Sequence, residues 1–259
     1  MLTFLVFCVT PSAVAKERKD KKKDFVIHTP EPDPPVAIKK DTKLSASPAV
    51  RSQSKKFADS RKGGIDVSHY QGRIDWSEVS KHGDISYAFV KATESNYYVD
   101  DYYQDNMEQG RKHGIAMGSY HFFRANVSIQ EQFEHMTSVV KPDMQDLVPL
   151  IDVEAANGVP SSVFAGRLKE FLEKVEEYYG TPPLLYTYVN FYNRYLAGRG
   201  FSHYPLMIAF YQNSTPYVSD GNKYIMWQYT CRGRINGIRG DVDRSKFMNG
   251  ASLHDILYK

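Results

Sequence analysis

The chain is poor in cysteine: Cys8 and Cys231 are the two in 259 residues, far apart and in unlike surroundings. A disulfide framework is excluded, so a folded domain must be held by its core. The eight histidines are scattered, with no His-x-x-x-His or Cys-x-x-Cys pair, which argues against a zinc site. No metal or other cofactor is expected. There is no Gly-x-Ser-x-Gly elbow of a serine hydrolase, and no Gly-rich phosphate turn follows a strand-like run. No apolar run reaches the 18 residues that would suggest a transmembrane helix. No period of 20 to 50 residues repeats, which excludes a solenoid.

Tyrosine and tryptophan are absent where charge is dense. All 19 Tyr and both Trp lie after residue 63, whereas residues 16–62 hold 14 Lys+Arg against 7 Asp+Glu. The stretch 16–62 is Lys-, Pro- and Ser-rich with few large apolar residues, and is expected to be a disordered basic spacer. Lacking interleaved aromatics, and joined to an acidic remainder, it is not expected to bind nucleic acid. Before it, Leu2–Val9 and the small residues to Ala15 have the pattern of a secretory signal over 1–15, cleaved after Ala15. A lipid-modified Cys8 is the alternative. Either places the protein outside the cell or at its envelope, and 63–259 is left as the folded domain, expected to be a monomer.

What the folded part does contain is a succession of short apolar runs that end in polar residues. Expected strands are a short one opening Gly63–Gly72 with Asp66 at its end, then Ile85–Glu94, Ile115–Phe123, Leu147–Glu154, Leu184–Tyr188, Pro205–Phe210, Lys223–Tyr229 and Gly240–Asp243. Helices are expected from Asp75, over Asp101–His113, from Ser128 with a capping box to Glu131, from Pro160 or Ser161 to Gly180, and over Asn190–Leu196. Early strands are each followed by a helix and the last ones by loops. The fold class is therefore α/β, an irregular TIM-like barrel of parallel strands with helices missing after the last strands.

The C-terminal strand ends of such a barrel gather on one face. Asp66, Lys91, Tyr120 with His121, Asp152 with Glu154, Tyr186 with Tyr188, Gln228 and Asp243 all fall there. In a strand running to residue 154, Asp152 and Glu154 would share a face about 6.6 Å apart. Two acids so placed raise each other's pKa, and one is expected to keep the proton a general acid needs. His121 is expected to be a hydrogen-bonded core residue. Paired acids with many tyrosines fit glycoside hydrolysis.

Eight short motifs occur in family order: Gly-Ile-Asp66-Val-Ser with Tyr-Gln-Gly72, Phe-Val-Lys91-Ala-Thr-Glu94, Gly-Ser-Tyr120-His-Phe122, Asp152-Val-Glu154, Tyr186-Thr-Tyr188, Ile208-Ala209, Trp227-Gln-Tyr229 and Val242-Asp243. In these the chain resembles the glycoside hydrolase family 25 lysozymes, the Chalaropsis-type muramidases, from about Gly64 to Gly250. The resemblance implies a barrel that cuts the β-1,4 bond between N-acetylmuramic acid and N-acetylglucosamine in peptidoglycan glycan strands. It implies Glu154 as the acid/base, Asp152, Asp66 and Asp243 as the other active-site carboxylates, and Lys91, Tyr98 and Tyr188 along the sugar groove. Asp152, ionised beside Lys91, is expected to assist, through the substrate's 2-acetamido group. Direct attack by a carboxylate and an inverting path remain open from spacing alone. So do hydrolysis of another N-acetylated glycan such as chitin, and glycan binding without turnover. Two residues depart from the family pattern: Met207 where Trp is frequent, and Ser245 where Asn commonly follows Val-Asp.

Overall fold

The structure is a computed structural model and describes residues 63–259. The expected signal segment with Cys8, and the basic spacer, lie outside the described residues. Nine strands form one sheet: β1 (Gly63–Val67), β2 (Ile85–Glu94), β3 (Tyr98–Val99), β4 (Ala116–Phe122), β5 (Leu150–Asp152), β6 (Leu184–Tyr188), β7 (Leu206–Ala209), β8 (Met226–Gly233) and β9 (Val242–Phe247). β1 pairs with both β2 and β9, so eight strands close into a barrel, while β3 is a short antiparallel extension of β2. The helices are α1 (Trp76–Val79), α2 (Tyr103–Lys112), α3 (Ile129–Val139), α4 (Ser161–Tyr179) and α5 (Val189–Tyr195). None follows β7 or β8 among the described residues, as expected. No helix there is long and apolar enough to cross a membrane.

The period of two along each strand divides the interior into two layers. Outward residues such as Ile65, Val90, Ile151, Leu185 and Ile208 pack under the helices, where α4 presents Phe164, Leu168, Phe171, Leu172 and Val175 at helical spacing. Inward residues, among them Tyr87, Phe89, Leu150, Leu184, Met207 and Met226, fill the barrel. Rings fit there because the facing positions are glycine. A Cβ on Gly64 would fall 2.1 Å from the Tyr87 ring, and one on Gly118 would fall 2.8 Å from Phe89. Met207 and Ser245 both belong to this sealed interior, and the Tyr87 hydroxyl lies 2.9 Å from Ser245 Oγ. The two departures from the family pattern therefore bear on packing below the rim.

Helix ends follow local chemistry. Asp75 caps α1 by accepting from the backbone N–H of Ser77 and Glu78, and Gly180 ends α4 in the left-handed conformation at φ 70°. The capping box expected at Ser128 is half formed. Its Oγ accepts from the N–H of Glu131, but the Glu131 carboxylate instead accepts from Asn96 Nδ2 at 2.8 Å.

Two expectations need correction. The strand Leu147–Glu154 shortens to β5, because Pro149 has no N–H to give a ladder. The Asp152 carbonyl accepts from Phe123, the Val153 N–H donates to Tyr186, and Glu154 lies past both. The last strand begins at Val242 rather than ending at Asp243, and it runs antiparallel to β1 and β8. The barrel is mixed, not wholly parallel.

Candidate active site

The inward rows change character at one end. Passing up the barrel, Gly64 gives way to Asp66, Phe89 to Lys91, Leu150 to Asp152, Leu184 to Tyr186 and Tyr188, and Met226 to Gln228. β9 enters from this rim instead of leaving at it, so its first inward residue, Asp243, meets the same ring. Asp66 and Asp243 are direct partners in the β1–β9 ladder. Asp152 lies beside Tyr186 on one side and Phe122 on the other. The rim thus brings together Asp66, Asp243, Asp152 and Glu154 with Lys91, Tyr120, Tyr188 and Gln228.

Four acids in one shielded mouth cannot all ionise at ordinary pH. Burial, reinforced by Asp243, raises Asp66 to about 8, against the pull of its bond to Gln228. Burial raises Asp243 to about 6. Burial and then Asp243 raise Glu154 to about 7, although Lys91, Arg124 and a bond to Tyr186 pull it down. Asp152 is held well above the usual carboxylate range by burial and then by Glu154, with Lys91 opposing. Lys91 acts in the direction the sequence reading expects, toward ionised Asp152, but burial and Glu154 outweigh it. Lys91 Nζ donates to Glu94 Oε2 at 2.6 Å, and its charge is spent largely there. Asp152 keeps a sealed Oδ1 with no hydrogen-bond partner, and Asp66 does too.

Gln228 ties the mouth together. Its Oε1 accepts from the hydroxyls of Tyr186 at 2.8 Å and Tyr211 at 2.5 Å. Those two donors fix the amide, so Nε2 faces Asp66 and donates to its Oδ2 at 2.8 Å. Tyr188 stands edge-on to both Tyr186 and Tyr211, with centroids 6.2 and 6.0 Å away. Burial raises the Tyr120 and Tyr186 hydroxyls well above the ordinary tyrosine range, so both stay protonated. Tyr98 is set apart on β3, with its hydroxyl 3.0 Å from His69 Nδ1 and its ring 5.4 Å from the Lys91 ammonium. His121 points outward, fully buried between Thr93 Oγ1 and Gln132 Oε1. Burial lowers it to about 3, so it stays neutral, as a core residue should.

Two site residues escaped the sequence reading. Tyr211 continues the inward row Met207, Ala209 past the end of β7. Arg124 continues Tyr120, Phe122 past the end of β4. It closes on Glu94 from the side opposite Lys91, with Nε 2.9 Å from Oε1, and its guanidinium covers the Phe122 ring at 4.4 Å. Extending the alternation two residues beyond each strand would have found both. Glu94, already part of the Lys91 motif, follows the register shift between Lys91 and Thr93, which no residue type announces. Among the described residues no group of His, Cys, Asp and Glu has the arrangement to hold a metal ion.

An acid-ringed, tyrosine-walled mouth on a closed barrel belongs to the class of glycan-cleaving hydrolases. Comparison narrows the class: residues 65–238 match the model of glycosyl hydrolases family 25. The Escherichia coli K12 protein "Uncharacterized protein YegX" is 36% identical over 71% of this chain and 68% of its own. "Lysozyme M1" of Streptomyces globisporus is 31% identical over 73% and 68%. The crystal structure of the bacterial lysozyme from Streptomyces coelicolor superposes with a TM-score of 0.69 at 31% identity, covering 75% of this chain and 94% of that one. The chain belongs to glycosyl hydrolases family 25, and is a glycoside hydrolase of the lysozyme type.

Proposed function

We propose that the protein hydrolyses peptidoglycan at the β-1,4 bond from N-acetylmuramic acid to N-acetylglucosamine, and that it does so outside the cell or at its envelope. The observation that carries this reading is the acid pair: Glu154, held to about 7, beside Asp152 with an unpartnered buried Oδ1. The 2-acetamido N–H of the substrate is a donor from which the Asp152 carboxyl group can accept a hydrogen bond. With that N–H on Asp152, the acetamido carbonyl oxygen faces the anomeric carbon and bonds to it as the glycosidic C–O bond breaks. Glu154 gives its proton to the departing oxygen. Water then attacks the anomeric carbon, the ring formed through the acetamido group opens, and Glu154 recovers a proton from that water. Asp243, at about 6, supplies negative charge in the mouth near neutrality, while Asp66, at about 8, is held by Gln228. Lys91, Tyr98, Tyr120, Tyr188 and Gln228 would line or brace the groove.

The test is mass spectrometry of fragments released from purified peptidoglycan by the protein. Muramic acid at the new reducing ends is expected. Glucosamine there, or release from chitin oligomers alone, would overturn the choice of bond. Binding without release would overturn the enzymatic step.

A further inference from the structure

The chain that rises above the acid mouth carries the opposite charge. Residues 230–246 hold five Lys+Arg against two Asp+Glu, a net of +3, whereas the rest of 63–259 holds 14 against 21, a net of −7. This basic stretch is the β8–β9 hairpin. β8 runs on past Gln228, through two register shifts, to Gly233, and β9 returns from Val242 to Asp243, so the turn over 234–241 stands at the rim. It is braced on the segment between β1 and α1. The Asp75 N–H donates to the Gly237 carbonyl at 2.9 Å, Gln71 Nε2 donates to the Asp241 carbonyl at 3.1 Å, and Ile235 is buried. Gly237, at φ 94°, lies so close that a Cβ there would fall 2.4 Å from the Asp75 carbonyl oxygen. The two segments make one lip, and its exposed cations are all arginine: Arg73, Arg232, Arg234 and Arg239. Arg234 pairs with Asp241 at 2.9 Å, while Arg73, Arg232 and Arg239 have no ion pair among the described residues. Arg244 turns instead to Asp84, and Lys246 lies over the Trp227 ring.

From this arrangement we infer that the arginine lip binds the carboxylates of the peptide stems that peptidoglycan carries on its muramic acid residues. A guanidinium offers a fork of donors that matches a carboxylate. The stems hang from the same sugars that the mouth takes, so a lip at the rim meets them while the glycan lies across the acids. A merely solvated hairpin would account for the exposure of these side chains. It gives no reason for unpaired cations of one kind to converge from two segments, on a braced backbone, in a domain that is otherwise acidic. The inference rests on the peptidoglycan reading above and adds the peptide as a second recognised part of that substrate.

The experiment measures KM for soluble peptidoglycan octasaccharides with and without their peptide stems. The parent is expected to favour the stem-bearing strand, and added sodium chloride to erase that preference, since exposed ion pairs are screened. The triple variant Arg73→Gln, Arg232→Gln, Arg239→Gln should raise KM for the stem-bearing strand about three- to tenfold, the worth of a few exposed ion pairs. Its kcat, its KM for the bare strand and its melting temperature should stay unchanged. Equal KM for parent and variant on the stem-bearing strand, or an equal rise on both strands, would overturn the lip. So would a variant that loses hold only of a glycerol-phosphate polymer, which would assign these arginines to wall phosphates. Binding of the two strands to Glu154→Gln, with and without the three arginine changes, repeats the comparison without turnover. Failure of the parent to cleave either strand would then count against the hydrolytic reading alone, while arginine changes that leave stem-bearing strands bound as tightly would count against the lip alone.

Discussion

Asp66 and Asp243 stand opposite each other in the β1–β9 ladder, the nearest placement two strands allow, roughly 5 Å between Cα atoms. Like charges so close hold protons on, and Asp66 reaches about 8 with Asp243 contributing after burial. Asp243→Asn is therefore expected to lower the Asp66 pKa. Carboxyl-carbon NMR titration should show the Asp66 midpoint move toward the usual range, and an unmoved midpoint would show that the pair does not interact.

Stability should depend on pH with a definite sign. Asp66, Glu154 and Asp243 titrate in the folded state at about 8, 7 and 6, all above their unfolded values. The folded state then binds more protons than the unfolded one between roughly pH 4 and 8, so the stabilisation is full below that window and is lost as pH rises through it. The melting temperature is expected to be higher at pH 5 than at pH 8. A scan that rises with pH across this window would contradict it.

Glu94 is clamped between Lys91 and Arg124, and both cations lower the Glu154 pKa. Glu94→Gln removes the anion that absorbs their charge, so Glu154 should lose its proton more readily. The upper limb of the activity–pH profile is expected to move to lower pH, with kcat in the acid plateau reduced less than at neutrality. A limb that stays in place would show that Glu94 only holds the loop.

Gln228→Leu would strip Asp66 of its donor and leave two tyrosine hydroxyls without their acceptor. Each unmet buried group costs about 1–3 kcal/mol, so a clear loss of stability is expected in a denaturant titration. Asp66 should also titrate higher, because the Gln228 bond is what pulls it down. Unchanged stability would mean that the hub carries no energy.

Much of this site was readable from residues alone, for a simple reason: strand alternation is a covalent fact, and polar residues at the top of an inward row have few places to go. Asp66, Lys91, Asp152 and Gln228 follow from it. Asp243 was placed at the right rim through the wrong strand direction, since a short apolar run does not say which way it enters a sheet. Lys91 forms its ion pair with Glu94 and not with Asp152. Its partner Glu94 comes into reach through a bulge, and a bulge depends on tertiary contacts rather than on local sequence. Pro149 marks where β5 begins, a limit visible in the sequence, whereas no residue type marks its end at Asp152, which leaves Glu154 beyond the ladder.

The central claim is that Glu154 holds a proton at the pH where the protein works. Carbon-13 NMR titration of the Glu154 carboxyl in the free protein, assigned by its loss in Glu154→Gln, tests it most directly. A midpoint near 7 is expected, together with a fall in kcat/KM over the same range and a loss of about 10² to 10⁴ in rate for the variant. A midpoint near 4, or a variant as active as the parent, would contradict the account.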